Sequence, residues 1–134
     1  PPDQVEADMA ALIALLRPAG LAARDEPQVY ILSITPSPMR AARWPAFAQA
    51  NKQLRALAET NPGVQFGDVA SLIATDEGQM DEARFRWDGL TFNEDGYGVI
   101  GRAIRQRLMA DLGATLRSAP PPTVEPLNQP VPAP

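Results

Sequence analysis

The stretch WDGLTFNEDGYG, residues 87–98, is where residue types and spacing come nearest to acid–base chemistry. Asp88 is followed by Gly89 and Leu90, then by Thr91, and Asn93 stands where a helix can open. An acid three residues ahead of a histidine would hold an imidazole base in place and support its charge. Thr91 occupies that place, and the chain contains no histidine at all. A threonine hydroxyl cannot take up and return a proton near neutral pH. Asp88 therefore has two roles open to it. It can act as an acid supporting a base, or it can build an Asx-type turn around Gly89. Without a histidine the turn is favoured. Thr91 can be a vestige of the base position, a hydrogen-bond partner of Asp88 or a pocket residue, and the first two are favoured.

Other side chains near this turn can contact a ligand. Phe85 and Trp87 are the aromatic candidates for a substrate pocket, and Asn93 is a polar one. Trp44, at helical spacing, reads as core. Asp76, Glu77, Asp81 and Glu82 share one loop, but a calcium site needs six or more organised oxygens. Gly78 does not reproduce an EF-hand pattern, so a solvated acidic loop is expected and no metal site. The four serines, Ser33, Ser37, Ser71 and Ser118, include no Gly-x-Ser-x-Gly elbow. They read as turn or strand residues. Asn51 falls on the apolar stripe of its helix and is expected to satisfy a backbone group near a strand end.

The elements that must position these residues come from one domain of modest size. The chain has 134 residues, 45% of them hydrophobic, a net charge of −4 and a pI of about 4.7. The acidic balance and scattered arginines argue against a nucleic-acid surface. The absence of cysteine excludes disulfides and thiolate metal sites. No stretch has the apolar length of a membrane span. The compartment is not legible. Of 15 prolines, seven lie at or after Pro120, so residues 118–134 are expected to be a proline-rich, disordered tail beyond a domain spanning 1–117.

Asp3 and Glu6 suggest a capping box. Val5, Met9, Leu12, Ile13 and Leu16 then recur at helical spacing, predicting a helix over 4–17 ended by Pro18 and Gly20. Val29 to Ile34 form a near-continuous apolar run, as in a parallel strand covered on both faces. A second helix carries Trp44, Phe47, Asn51, Leu54 and Leu57, with Pro45 in its first turn and Asn61-Pro62-Gly63 at its end. A short strand follows from Val64, closing near Asp68 or Val69. After the acidic loop, Asn93 caps a third helix. Its expected buried stripe is Tyr97, Ile100, Ile104, Leu108 and Leu112, with Gly113 as its terminator. Strands alternating with helices predict an α/β fold with a parallel sheet. Two strands alone would leave an apolar edge open, so the pattern reads as the second half of a larger domain.

Four segments in this order resemble one family. PDQVEADMAALIALL resembles the helix after the Gly-x-Asn-Asp block of SGNH hydrolases, also called the GDSL esterase/lipase family. ILSITPSPMR resembles their middle strand and proline turn. FAQANKQLRALAE with VQFGDV resembles the next helix and strand, and DGLTFNEDGYGVIGRAI resembles the last catalytic block. The likeness runs from Pro2 to Leu112, over the C-terminal half of such a domain. It implies a three-layer α/β/α flavodoxin-like fold of which this chain holds about two parallel strands and three helices. It also implies hydrolysis of small-molecule or carbohydrate esters without a cofactor. By the resemblance, Asp88 matches the family acid and Thr91 stands at the family histidine. The serine nucleophile and oxyanion blocks belong to the missing N-terminal half. The chain alone is therefore expected to be inactive, the alternative being a non-catalytic protein that binds acyl or carbohydrate ligands.

Overall fold

The computed structural model describes residues 1–17, 27–75 and 77–118, with side chains up to 113. The expected stops of the first helix at Pro18 and Gly20, the acidic Asp76 and the tail from 119 onward lie outside the described residues. Among the described residues three α-helices and two strands alternate in chain order, with short 3-10 turns between some of them: α1 (Pro2–Leu16), β1 (Val29–Leu32), α2 (Trp44–Thr60), β2 (Val64–Gly67) and α3 (Glu94–Ser118). β1 and β2 pair in parallel, Val29 against Val64 through Leu32 against Gly67. The architecture is thus mixed α/β, with the α2 crossover joining the two parallel strands.

α1 begins two residues earlier than its pattern suggests. Pro1 is its N-cap residue and Pro2 its first helical residue, without a side-chain cap bond. The capping box does not form, because proline at the first position is already preset for helix. Asp3 instead accepts a bond from Gln53 Nε2 at 2.7 Å, which ties α1 to α2. α1 packs on a narrower stripe than expected. Ile13 is buried and Val5 and Met9 are half-buried, whereas Leu12 and Leu16 are exposed. α2 starts and stops as its sequence indicates, with Pro45 in the first turn and Gly63 at φ +78° just beyond.

The core lies on one side of the sheet. Ile13 of α1, Leu54 and Ala58 of α2, Ile31 of β1 and Val64 of β2 form one buried cluster. Strand alternation sends Tyr30 and Leu32 to the opposite side, towards α3. There the packing is loose. Tyr30, Leu32, Val69, Ala103, Ile104 and Leu108 border a cavity of about 300 Å³ between sheet and helix. The expected buried stripe of α3 is not buried. Tyr97 is 58% exposed, and Ile100, Ile104, Leu108 and Leu112 are only half-buried. A two-stranded sheet is too narrow to cover a helix of 25 residues. Polar bonds supplement the contact. Arg107 holds Asp111 at 2.6 Å and Gln65 at 2.9 Å, and the Tyr30 hydroxyl donates to Asp111 at 3.3 Å. Gly113 does not end α3, which continues to Ser118.

β1 also keeps an open edge. Val29 N–H donates to Gly63 and Ser33 N–H to Gly67, so the odd-numbered peptides face β2. Those of Tyr30 and Leu32 face away from it. Two residues on, the Asn51 carboxamide takes both peptide groups of Ile34, accepting from its N–H at 2.7 Å and donating to its C=O at 2.9 Å. The polar residue in the α2 stripe thus closes the strand end, as its position suggests.

Candidate functional site

The 87–98 stretch is held by a small antiparallel ribbon that precedes α3. Phe85 bridges Phe92, Arg86 N–H donates to Thr91 C=O at 2.8 Å, and Asn93 N–H to Arg84 C=O at 2.9 Å. This ribbon is not visible as alternation in the sequence, because each side contributes barely two residues. At its tip, Gly89 adopts φ +60°, a left-handed conformation that disfavours any side chain. Its N–H closes the turn onto Arg86 C=O, and its C=O accepts from Met39 N–H at 2.9 Å. The tip is therefore fastened to the segment that follows β1. Functional groups of open parallel sheets gather at these C-terminal strand ends.

Within the tip, Asp88 is committed to its own turn. One carboxylate oxygen accepts from the N–H groups of Leu90 at 2.9 Å and Thr91 at 2.8 Å. The other accepts the Thr91 hydroxyl at 2.7 Å. The Thr91 backbone and hydroxyl bonds, the Leu90 N–H and the nearby Arg86 charge hold the Asp88 carboxyl below the ordinary carboxylate range. Each of these bonds favours the ionised form. A carboxylate so stabilised is a poor proton acceptor at neutral pH, so Asp88 does not activate Thr91 as a nucleophile. The two residues do stand together, as acid and hydroxyl partner on one turn.

The three expected pocket residues are not brought to a common lining. Phe85 is 8% exposed and stacks on Phe92 with ring centroids 4.8 Å apart, so it serves the core. Asn93 uses its amide structurally. Its oxygen caps α3 through Gly96 N–H at 3.0 Å, and its nitrogen reaches Ala83 C=O at 2.7 Å. The capping expected of Asn93 is present, and it leaves the side chain little freedom to meet a ligand. Trp87 alone points outward, 98% exposed.

The serines are structural where they are bonded. Ser33 Oγ accepts from Val69 N–H at 2.9 Å and Ala70 N–H at 2.8 Å, and lies 3.5 Å from Asp68. It locks together the chain segments leaving the two strands. Ser71 N–H donates to Asp68 at 3.2 Å. Beside them is a polar concavity of about 200 Å³, lined by Trp44, Asn51, Lys52, Arg55, Phe66 and Asp68. Arg55 pairs with Asp68 at 2.9 Å and lies over the Phe66 ring at 4.7 Å. The lining residues come from α2, β2 and the segment that follows β2, and have no signature spacing in the sequence. Among the described residues no group of His, Cys, Asp or Glu is placed to hold a metal ion, and no helix is long and apolar enough to cross a membrane.

No family model and no curated protein matches the chain. A solved structure does: a Streptococcus pneumonia protein provisionally named a platelet activating factor. The two superpose with a TM-score of 0.63 at 21% identity, over 81% of this chain and 52% of that one. At that identity the likeness establishes an α/β fold. The chain spans about half the length of the protein it resembles.

Proposed function

We propose that the chain supplies the C-terminal, acid-bearing half of an SGNH-type ester hydrolase domain and does not turn over esters by itself. The observation that carries this reading is the Asp88–Thr91 pair: an acid and a hydroxyl three residues apart, on a turn bonded to the segment after β1. A histidine in place of Thr91 would stand where Asp88 can orient it. The element order, the open edge of β1 and the half-length likeness to a larger α/β protein support the same reading. The remaining half would extend the sheet from β1 and bring the nucleophile and the oxyanion donors. The substrate class is a small ester or a carbohydrate ester, and no cofactor is required.

A second reading is favoured by the saturation of Asp88. Its two oxygens already accept three bonds, which suits a settled turn better than a working acid. On this reading the protein binds acyl or carbohydrate ligands without turnover.

Hydrolysis of p-nitrophenyl acetate by the purified chain tests the proposal. The expected rate is that of buffer. Turnover that follows the pure protein and disappears in Asp88→Ala would refute it. Reading the coding sequence upstream of Pro1 separates the two functions. Gly-Asp-Ser and Gly-x-Asn-Asp blocks there support a hydrolase domain, and their absence supports the binding protein.

A further inference from the structure

The chain contains two Asp-Gly bonds, Asp88–Gly89 and Asp95–Gly96. Such a bond is chemically weak. The backbone nitrogen after the aspartate can attack the side-chain carboxyl carbon, and glycine has no Cβ to shield that nitrogen. A C–N bond then forms, the carboxyl hydroxyl leaves with the amide proton as water, and a five-membered succinimide results. Solvent water reopens the ring at either carbonyl. Opening at the former backbone carbonyl leaves the main chain running through the side-chain carbon, an isoaspartate, with no net change in mass. Closure has three requirements. The carboxyl must be neutral so that its hydroxyl can leave, the glycine nitrogen must be free to give up its proton, and the two atoms must meet.

The Asp88 turn opposes all three. The Gly89 N–H is donated to Arg86 C=O at 2.9 Å, which holds its proton in place. The Asp88 carboxylate accepts the N–H groups of Leu90 and Thr91 and the Thr91 hydroxyl, so it is drawn forward to residues 90 and 91 and away from the Gly89 nitrogen. The same donors favour its ionised form. The Gly89 carbonyl is fixed as well, accepting from Met39 N–H at 2.9 Å, so the glycine is held on both sides. Asp95–Gly96 is guarded by other means. It lies in the first turn of α3, where Gly96 is buried and its N–H is donated to Asn93 Oδ1 at 3.0 Å.

We propose that Asp88–Gly89 is a latent isoaspartyl site and that Thr91 is its lock, holding the carboxylate where it cannot close on the Gly89 nitrogen. Thr91 thereby has a role in which basicity plays no part. Loss of the turn releases the reaction, and the product cannot rebuild it. The extra backbone carbon displaces the Gly89 carbonyl from Met39 N–H, and the carboxylate no longer faces residue 91. This does not depend on the hydrolase reading.

Prolonged incubation of the full chain at neutral pH, in native buffer and in urea, tests it. Asp95→Glu in every sample leaves a single Asp-Gly bond, and chromatography of the tryptic peptide 87–102 separates its isomers. The folded chain should isomerise at Asp88 about tenfold or more slowly than the unfolded one, because reaction waits on local opening. Thr91→Val keeps the shape and the backbone N–H but removes the hydroxyl bond, and should speed the folded reaction by about threefold or more. Thr91→Ser keeps a hydroxyl and should stay close to the parent rate. Equal rates in native buffer and urea overturn the proposal, as does a Thr91→Val rate equal to that of the parent. A Thr91→Ser chain that isomerises as fast as Thr91→Val also overturns it, since the hydroxyl is then not the lock.

Discussion

Thr91 donates its hydroxyl to Asp88 across 2.7 Å, on the same turn in which Asp88 accepts the Thr91 backbone N–H at 2.8 Å. One residue thus bonds the carboxylate twice. The arrangement is that of an acid with an orientable partner, but the partner has no useful basicity.

Replacing Thr91 by histidine converts this relationship into a measurable one. An imidazole held beside the Asp88 carboxylate should titrate above its ordinary value of about 6.5. In Thr91→His, proton NMR of the single imidazole reads this directly. Adding Asp88→Asn should return the value towards ordinary. An unshifted imidazole would mean that the turn does not bring the two side chains together.

Acid should loosen the same turn. The folded Asp88 carboxyl is held below its ordinary pKa, chiefly by the Thr91 bonds. The turn's contribution is therefore complete above the unfolded value of about 3.9 and is lost as pH falls through the lower, folded value. Carboxyl carbon shifts followed against pH should place the Asp88 midpoint below the ordinary aspartate value of about 3.9. Thr91→Val should move it upward.

Two glycines of α3 should respond to alanine in opposite directions. A Cβ on Gly96 would lie 2.5 Å from Arg84 C=O and 2.9 Å from Phe92 Cδ1, and the backbone oxygen cannot move without opening the ribbon. Gly96→Ala should destabilise the fold by roughly 1–3 kcal/mol despite alanine's helix preference. Gly101 has nothing within 4 Å of its Cβ position. Gly101→Ala should therefore stabilise by up to about 1 kcal/mol. Denaturant midpoints of the two variants measure the difference.

Ser33 should matter far more than its size suggests. Its buried hydroxyl serves the N–H groups of Val69 and Ala70. Ser33→Ala strands both donors and should cost roughly 2–4 kcal/mol. A loss under about 0.5 kcal/mol would show that water replaces the hydroxyl at no cost.

The open strand edge has its own signature. Hydrogen exchange should be faster at the Tyr30 and Leu32 amides than at Val29 and Ser33, whose N–H groups donate to β2. Addition of a polypeptide that extends the sheet from β1 should slow exchange at Tyr30 and Leu32 selectively.

Much of the architecture was determined by the sequence by itself, where local signals and burial agreed. The apolar run Val29–Ile34, the Pro45 start and Gly63 stop of α2, the Asn93 cap and the helical periods specify the elements and their order through short-range geometry. The pairing of Asp88 with Thr91 belongs to the same class, because a three-residue turn places them side by side. Other features were decided only by tertiary structure. Whether the α3 stripe is buried depends on how much sheet lies beneath it, and two strands leave Ile104 and Leu108 beside a cavity. Whether Phe85 or Trp87 meets solvent depends on a ribbon too short to show a period, which turns the first onto Phe92 and leaves the second outside. Ser33 and Val69, 36 residues apart, meet only because β1 and β2 are parallel and in register. Local preferences act over a few residues, whereas exposure and long-range bonds depend on what the rest of the chain brings alongside.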